Sequence, residues 1–406
     1  MWEQVKSNKI KSVWLVAGMG ALLLSIGYLI GEVFFESGVA GIILASIIWL
    51  IMNLVAFFQG DNVFLAVSRA RKIERNDHPR LFNIVEEMKI ASGLPKMPDI
   101  YIIDDPAPNA FATGRDPNKA AIAVTSGLLQ RLNRDELQGV IAHEIGHIKN
   151  RDVLLMVLTG VLMGAIVLLA DLALWYLILG GARGGRRAPS AGGGQAQIII
   201  LLVGIVLIIV APIIARLLYY AMSRRREYLA DASSALYTRY PEGLASALEK
   251  ISSSTSVLSS ANRATAPMYI INPLHKKGMR ASDLTSTHPP TSERIRILRS
   301  MGGSASFIDY DSVFRQVHSG GKGIIPSATL KGAGLVAARE AATEEKKPEK
   351  TEKLERARET SDLLWKLNKY TPLSCACGAK FKVPPDFKGK SIMCPRCHAI
   401  NPVPGR

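Results

Sequence analysis

Long apolar runs with few charged residues are the main pattern over the first 220 residues, and the first two of them are uncharged. Two of them, 20 residues from Ser12 to Gly31 and 24 residues from Ser37 to Gly60, stand near the N-terminus. A second pair extends from about Val153 to Leu179 and from about Ile198 to Tyr220. Because about 20 apolar residues span the hydrocarbon core of a bilayer, the pattern predicts two transmembrane helical hairpins. We expect the first apolar run to stay in the protein rather than to be cleaved as a signal peptide, since another span follows it directly.

Basic residues are distributed unevenly around these runs. Because Lys and Arg are retained in cytoplasmic loops, the bias predicts a multi-pass protein of the cell (inner) membrane with both termini and the polar regions in the cytoplasm. If all four runs span, the cytoplasmic side carries Lys6, Lys9, Lys11, Arg69, Arg71, Lys72, Arg75, Lys149, Arg151, Arg224, Arg225 and Arg226, and the opposite side carries Arg183, Arg186 and Arg187.

Composition agrees with a membrane protein and excludes a disulfide-rich secreted domain. Hydrophobic residues make up 48 % of the chain, charged residues 21 %, and the mean hydropathy is +0.16. The formal charge of +16 favours an anionic membrane surface or a nucleic acid without choosing between them. All four Cys lie within the last 32 residues, so disulfides cannot stabilise the bulk of the chain.

The strongest chemical signal is His143-Glu144-Ile145-Gly146-His147. Asn133, followed by Asp135 and Glu136, predicts the capped start of a helix that carries it. On a helix, a spacing of four places both imidazoles on one face, where they can bind one Zn²⁺ with Glu144 beside the bound water. A helix with two surface histidines and no metal is the alternative.

A zinc site needs a further protein ligand, and the sequence after the fourth apolar run offers one. Asn150 and Val153 stand where a metzincin extension would require Gly and His, so that class is excluded. After crossing the membrane twice, the chain returns to the same side shortly before Glu227. This carboxylate can complete a His₂Glu set with an open fourth position, and Asp231, one helical turn later, can hold a ligand imidazole. A solvated acidic pair is the alternative.

The order of these motifs resembles that of the M48 metallopeptidases, and within them the HtpX-type membrane proteases, relatives of the Ste24 CAAX-processing proteases. The resemblance covers about residues 1–300. It rests on H-E-x-x-H-x-x-N-x-D from His143 to Asp152, the E-x-x-x-D of Glu227 and Asp231, the N-A-F-A segment Asn109 to Ala112, and the T-H-P-P-T-S-E-R-I segment Thr287 to Ile295.

The resemblance implies an endopeptidase: a mainly α, multi-pass membrane protein with an α+β, zincin-like (gluzincin) catalytic domain that contains a small sheet. It also implies that substrate backbone lies along a sheet edge formed by Asn109, Ala110, Phe111 and Ala112. The segments Ile100–Ile103 and Ala121–Thr125 predict short strands beside it, although an ordinary hairpin loop is the alternative. His288 is expected near the zinc, where it can stabilise the oxyanion. Arg294 would anchor that loop or pair with a carboxylate.

The C-terminal region departs from the family pattern. Residues from about Gly320 to Leu367 are rich in charge and predict a linker followed by a solvated helix. Four Cys residues follow, in a pattern that resembles a zinc ribbon holding a second, structural Zn²⁺. The first pair is C-x-C rather than C-x₂-C, which leaves His398 as a substitute ligand. The four expected ligands are Cys375, Cys377, Cys394 and Cys397.

These patterns divide the chain into six parts. They are an N-terminal transmembrane hairpin (1–60), the first half of the catalytic domain (61–152), a second transmembrane hairpin (153–222), the second half of the catalytic domain (223–318), a charged linker and helix (319–370), and a zinc-ribbon-like domain (371–406).

The function predicted from the sequence is zinc-dependent hydrolysis of peptide bonds in the quality control of misfolded or membrane proteins at the cytoplasmic face. The zinc would acidify a water, and Glu144 would take its proton and deliver it to the leaving amine. The alternatives are an inactive zinc-holding membrane scaffold, a membrane-tethered nucleic-acid binder acting through the ribbon, and a four-helix transporter. Nucleic acid is not the expected partner. A transporter would have polar residues lining its spans, and these spans are nearly devoid of them apart from Asp171 and Arg216.

Overall fold

The structure is a computed structural model. It describes residues 2–114, 116–152, 163, 166–167, 169–171, 195–261, 266–273, 288–341 and 349–403. Most of the third predicted span, the loop with Arg183, Arg186 and Arg187, and Thr287 lie outside the described residues.

The N-terminal region forms a helical hairpin of α1 (Trp2–Phe35) and α2 (Gly38–Val67). Ser37 caps the second helix, because its side chain accepts a hydrogen bond from the Ala40 N–H at 3.3 Å. The backbones approach so closely that a Cβ at Gly41 would lie 2.6 Å from the Cα of Gly31. A glycine is therefore required at this crossing.

In the described part of the chain, one helix is long and apolar enough to cross a membrane by length and composition, and this is α2 over Gly38–Val55. The first helix contributes a shorter apolar stretch, Val16–Glu32. The predicted hairpin is thus present as two helices, and the four-span arrangement stays a prediction.

A four-stranded sheet, in the order β1-β2-β4-β3, follows the helical hairpin. β2 and β4 are parallel, with Ile100 opposite Ile122, and β3 pairs antiparallel with β4 at the edge. The strands predicted at 100–103 and 121–125 are confirmed, and the N-A-F-A segment forms most of the edge strand. The strands are β1 (Arg71–Lys72), β2 (Asp99–Ile103), β3 (Ala110–Thr113) and β4 (Ala121–Thr125).

Nine further α-helices follow the hairpin in the described part of the chain, and several of them begin at a capping residue or a proline. The third helix starts with Pro79 after the N-cap His78 and ends at Gly93 in the left-handed conformation (φ 67°). The helices are α3 (Pro79–Ser92), α4 (Ser126–Arg131), α5 (Arg134–Asn150), α6 (Gln195–Thr238), α7 (Pro241–Ser252), α8 (Thr291–Arg299), α9 (Phe307–Val317), α10 (Ser327–Lys331) and α11 (Glu349–Leu367).

The predicted capped start of α5 is confirmed. Asn133 accepts a hydrogen bond from the Glu136 N–H at 2.9 Å, and the Glu136 carboxylate accepts one from the Asn133 N–H at 2.9 Å. This capping box satisfies two backbone donors that have no partner within the helix. The helix that carries the H-E-x-x-H motif therefore begins at a fixed residue.

One continuous helix, α6, contains both the fourth predicted span and the acidic residues that follow it. It is 44 residues long and carries Glu227 and Asp231 near its C-terminal end. The third predicted zinc ligand is thus held on the direct extension of an apolar helical segment.

The charged helix α11 differs from the predicted solvated helix. Leu363 belongs to the same hydrophobic core as the sheet and the catalytic helices. Arg356 and Thr360 are also buried, and the Arg356 Nε donates to the Gln130 carbonyl at 3.4 Å. The helix is charged on one face and packed on the other, so it belongs to the same packed unit as the four-stranded sheet.

Two small antiparallel hairpins follow α11 and contain the four Cys residues in the turns beside their strands. The predicted ribbon-like region is therefore built of short β-hairpins, as a zinc ribbon requires. The first hairpin pairs β5 (Thr371–Ser374) with β6 (Lys380–Val383), and the second pairs β7 (Ser391–Met393) with β8 (Ile400–Pro402).

Candidate metal centre and catalytic site

Helices α5 and α6 bring the three predicted ligands together in the interior. The Nε2 atoms of His143 and His147 are 3.2 Å apart, and the Glu227 carboxylate oxygens lie 3.6 Å and 3.4 Å from them, respectively. All three residues are buried. The sequence therefore identified a set of side chains that the fold places within reach of one metal ion.

A glycine between the two histidines allows this approach. A Cβ at Gly146 would lie 3.1 Å from the Cβ of Ser233 and 3.3 Å from the Cα of Ala230. Because contacts this short are tighter than ordinary van der Waals packing, a larger residue would push α6 away. The position between the two motif histidines thus sets the distance between the two ligand helices.

Each ligand imidazole is oriented from behind by an acid. The Nδ1 of His143 is 3.0 Å from Asp231 Oδ1, as the sequence predicted for Asp231. The Nδ1 of His147 is 3.4 Å from Asp152 Oδ2. An N–H donated to a carboxylate fixes the tautomer and leaves Nε2 free as a metal ligand.

Sequence reasoning gave Asp152 no role, although it ends the quoted H-E-x-x-H-x-x-N-x-D pattern. Arg151 ends α5 in the left-handed conformation (φ 57°), and this turn carries Asp152 back toward His147. Arg226 in turn donates from Nη1 to the Asp152 carbonyl at 3.1 Å. The spacing of Asp152 from His147 could have been recognised in the sequence. The left-handed turn at Arg151, which brings the two side chains together, could not.

Arg294 confirms the predicted pairing with a carboxylate. It is fully buried and donates from Nε and Nη2 to the two oxygens of Asp231, at 2.8 Å and 2.7 Å. Its Nη1 lies 3.3 Å from Glu227 Oε2. One guanidinium thus contacts both the third ligand and the acid behind His143.

The chemistry of these donors fits a bound cation. With Nδ1 donating to acids, neutral His143 and His147 present two acceptor nitrogens 3.2 Å apart beside a carboxylate, an arrangement that is repulsive without a positive charge. Burial lowers the pKa of His147, but Asp152 and Glu227 outweigh it and raise this pKa to about 10, so these carboxylates favour a positive charge at His147, which a proton supplies when no metal is bound. Two imidazoles and one carboxylate form the donor set of a catalytic Zn²⁺ site.

Glu144 lies beside the ligands without being part of their cluster. Its Oε1 is buried and has no hydrogen-bond partner among the described residues. Burial raises the pKa of this carboxyl group, and the Ala112 N–H opposes the rise by hydrogen bonding to the carboxylate. A buried carboxylate oxygen without a hydrogen bond destabilises the fold unless a water or a substrate donates one to it.

His288 also reaches this centre. It is buried, and its Nε2 is 3.8 Å from Glu227 Oε2. Burial lowers the pKa of His288, so the neutral imidazole is favoured. The structure thus brings together His143, Glu144, His147, Glu227, Asp231 and His288 from separate parts of the sequence.

The predicted substrate edge adjoins Glu144 but is already paired. The Ile270 N–H donates to the Ala110 carbonyl at 3.0 Å, and Asn109 Nδ2 donates to the Ile271 carbonyl at 2.9 Å. Phe111 packs edge-on against Tyr269, with ring centroids 5.2 Å apart. In this conformation residues 269–271 of the chain itself therefore lie along the edge that we predicted to bind substrate backbone.

The four C-terminal Cys residues form a second candidate metal site. The Sγ atoms of Cys375 and Cys397 are 3.5 Å apart, those of Cys377 and Cys394 are 3.7 Å apart, and all four lie within 4.8 Å of one another. A tetrahedral zinc with Zn–S bonds of about 2.3 Å separates its sulfurs by about 3.8 Å. No disulfide links them.

The chain is similar in sequence to peptidases of family M48. The profile of peptidase family M48 matches residues 75–302. The chain is 45 % identical over 308 residues to a protease HtpX homolog of Dictyoglomus turgidum, covering 76 % of this chain and 97 % of that protein. It is 41 % identical over 301 residues to a protease HtpX homolog of Lactobacillus helveticus, covering 74 % and 100 %. A crystal structure of S. mikatae Ste24p is 21 % identical, with a TM-score of 0.38 and coverage of 73 % of this chain and 66 % of that one.

Proposed function

The chain belongs to peptidase family M48 and is a membrane-associated zinc metalloprotease, and we propose that it is an endopeptidase whose catalytic zinc is held by His143, His147 and Glu227. The observation that carries this assignment is the convergence of two imidazole Nε2 atoms and one carboxylate in a buried site. When bound there, zinc supplies a Lewis acid that acidifies a water and polarises a carbonyl.

Glu144 is the general base of the proposed reaction. Its carboxylate lies near His143 and His147 and has one oxygen without a hydrogen-bond partner among the described residues, so it can take a proton from the attacking water and later deliver it to the leaving amine. A raised pKa, caused by burial, suits a group that must both accept and return a proton. No covalent intermediate is expected.

His288 stabilises the developing oxyanion in this proposal. As a neutral imidazole it retains one N–H donor, and its Nε2 lies 3.8 Å from Glu227 Oε2, the oxygen that His143 Nε2 also approaches. A donor held by the fold needs no reorganisation when charge develops on the substrate.

Substrate backbone pairs with the outer edge of β3 in this proposal, in place of the chain's own segment at Ile270. The Ala112 N–H at that edge already contacts Glu144, so a peptide along the edge passes beside the base. Ile270 must first leave the Ala110 carbonyl, because one edge position cannot pair with two strands. The resulting mode is strand addition, which recognises backbone rather than particular side chains.

The proposed location is the cytoplasmic face of the cell membrane, with a multi-pass arrangement. Glu227 lies on the same continuous helix as the fourth predicted span, and α2 ends next to the sheet. A site held this close to apolar helices favours misfolded membrane proteins or their exposed loops as substrates, in proteolytic quality control.

A second zinc is proposed at Cys375, Cys377, Cys394 and Cys397, in a closed structural site. Backbone hydrogen bonding from the Cys377 N–H lowers the pKa of the Cys375 thiol to about 6, which favours the thiolate form that zinc requires. The Arg396 N–H also donates to Cys394 Sγ, at 3.4 Å. The proposed stoichiometry is therefore two zinc ions per chain.

The proposal is tested with the full-length protein in detergent and an unfolded protein such as casein as substrate. Depletion with 1,10-phenanthroline should stop cleavage, and added Zn²⁺ should restore it. Cleavage that persists after the metal bound outside the Cys residues has been removed would rule out the proposed mechanism.

A further inference from the structure

A short segment beyond the family-matched region joins the ends of the two ligand helices. We call it the strap, residues Val336 to Arg339, and it follows the matched residues 75–302 by more than thirty positions. Its backbone is held by hydrogen bonds from Ala305 N–H to the Val336 carbonyl (2.8 Å) and from Ala338 N–H to the Gly303 carbonyl (2.9 Å). The strap is therefore an ordered part of the catalytic unit.

Arg339 makes the link between the helices. Its Nη2 donates to Asp135 Oδ1 at 2.6 Å and to Gln138 Oε1 at 2.9 Å, and both acceptors lie in the first turns of α5. Its Nε donates to the Thr238 carbonyl at 3.0 Å, and Thr238 is the last residue of α6. Its backbone N–H donates to the Arg239 carbonyl at 2.7 Å.

The charge of Arg339 suits this position. Thr238 ends a helix, where the carbonyl dipoles favour a cation, and Asp135 supplies a carboxylate at the start of the other helix. The guanidinium also stacks 5.0 Å from the ring centroid of Tyr240. A neutral side chain could satisfy only a part of these contacts.

Other contacts between α5 and α6 lie around the proposed metal centre. They include the buried pair of His143 with Asp231 at 3.0 Å, the hydrogen bond from Ser234 Oγ to the Gly139 carbonyl at 2.8 Å, and the packing of Gly146 directly against Ala230. These contacts set how close the helices come near that centre. Arg339 supplies a charged contact at the start of α5 and the end of α6, a long distance from the proposed zinc ligands.

The distance between the partners of Arg339 and the proposed zinc ligands follows from helix geometry. Asp135 lies eight residues before His143, which is about 12 Å along the axis, and Thr238 lies eleven residues after Glu227, about 16 Å. A change of angle at the strap therefore moves Glu227 relative to the two histidines. Metal sites tolerate displacements of only about 0.5 Å before affinity falls.

We propose that Arg339 is a positioning residue for the metal centre, which fixes the crossing of α5 and α6 and thereby the separation of His143 and His147 from Glu227. The inference rests on the proposed function, because it takes these three residues as the zinc ligands. It assigns to the C-terminal extension, beyond the family-matched residues 75–302, a part in the active site.

The test compares zinc release from full-length Arg339→Ala, Asp135→Asn, Arg299→Ala and wild-type protein into 1,10-phenanthroline, well below the unfolding temperature of each. Zinc held by the cysteines is counted separately, as the fraction that a mercurial reagent releases. Arg299 is the matched control, since it forms a comparable ion-pair cluster with Glu242 and Glu249 that links α8 to α7.

Arg339→Ala and Asp135→Asn should release zinc about tenfold faster than wild type, and Arg299→Ala at the wild-type rate. If Arg339→Ala does not fold, Asp135→Asn carries the same test. Zinc release at the wild-type rate from both Arg339→Ala and Asp135→Asn, even if their unfolding temperatures are lower, would overturn the inference. The proposed function would remain intact. A wild-type protein with no zinc outside its cysteines would overturn the proposed function, and the inference with it.

Discussion

Arg294 donates two parallel hydrogen bonds to Asp231, at 2.8 Å and 2.7 Å, and Asp231 in turn lies 3.0 Å from the Nδ1 of His143. This buried relay connects α8 to α6 and to the ligand helix α5. It explains why a fully buried arginine is tolerated, because its charge is balanced by Asp231 and by Glu227 3.3 Å away. The orientation of the first ligand thus depends on a residue that does not bind the metal.

Arg294→Ala should weaken both the fold and the metal site. Removal of one partner of a buried ion pair costs about 3–5 kcal/mol of unfolding free energy. Asp231 then loses its support, so zinc affinity should fall about 10–100-fold. Arg299→Ala, at a surface ion pair, should cost less than about 1 kcal/mol. Equal zinc affinity in wild type and Arg294→Ala, measured by competition with a chelator, would contradict this role.

The stability of the fold should depend on the protonation of His78. Its Nδ1 accepts the hydrogen bond of the Leu81 N–H at 3.2 Å, and burial lowers its pKa from 6.5 to about 4. Because the folded-state pKa lies below the unfolded one, the unfolded chain binds the proton first. The contribution is complete above pH 6.5 and is lost as pH falls toward 4.

At about pH 5 this loss should reach about 2 kcal/mol relative to neutral pH. His78→Asn caps the helix without titrating, so its unfolding midpoint should fall less between neutral pH and about pH 5. The difference between the two proteins isolates His78 from the metal ligands, which both share. Identical shifts in the two midpoints would show that His78 does not contribute.

Tyr269→Phe should increase activity. The Tyr269 hydroxyl lies 3.2 Å from Ser68 Oγ at the end of α2, and this hydrogen bond helps to hold the segment that pairs with Ala110. If the pairing of Ile270 with Ala110 becomes about 1 kcal/mol less stable, the edge is available to substrate more often, and kcat/KM should rise about fivefold. Tyr310→Phe is the control, because that hydroxyl has no hydrogen-bond partner among the described residues. A kcat/KM equal to that of the control would mean that the segment need not move.

Deletion of residues 371–406 should remove one zinc and leave cleavage intact. The ribbon-like hairpins follow α11, whose Leu363 completes the main core, so a chain ending at Tyr370 keeps that core. Truncation after residue 318 should instead destabilise the protein, since it removes Ile324, Ile325 and Leu363 from the core. Zinc analysis and casein cleavage of the two truncations check this. Loss of cleavage on deletion of 371–406 alone would give the ribbon a direct part in catalysis.

The residues predicted from sequence are those that local rules can find. Spacing on a helix identified His143 and His147, and the return of the chain after two apolar runs identified Glu227. The capped start of α5 and the strands beside the N-A-F-A segment followed from the same kind of rule.

The rest depends on long-range packing. The role of Asp152 needs the left-handed turn at Arg151, and the pairing of Ile270 with Ala110 joins residues far apart in sequence. Helix α11 was predicted as solvated because charge dominates its composition. Its buried positions include Arg356 and Thr360 beside Leu363, so the apolar pattern alone did not show a packed face.

Glu144→Gln tests the central claim most directly, when zinc content and casein cleavage are measured on the same full-length samples. The substitution keeps the shape of the side chain and removes the base, and none of the three proposed zinc ligands is changed. We predict wild-type zinc content and a fall in kcat of about 10²–10⁴-fold. Cleavage at the wild-type rate by Glu144→Gln would contradict the account.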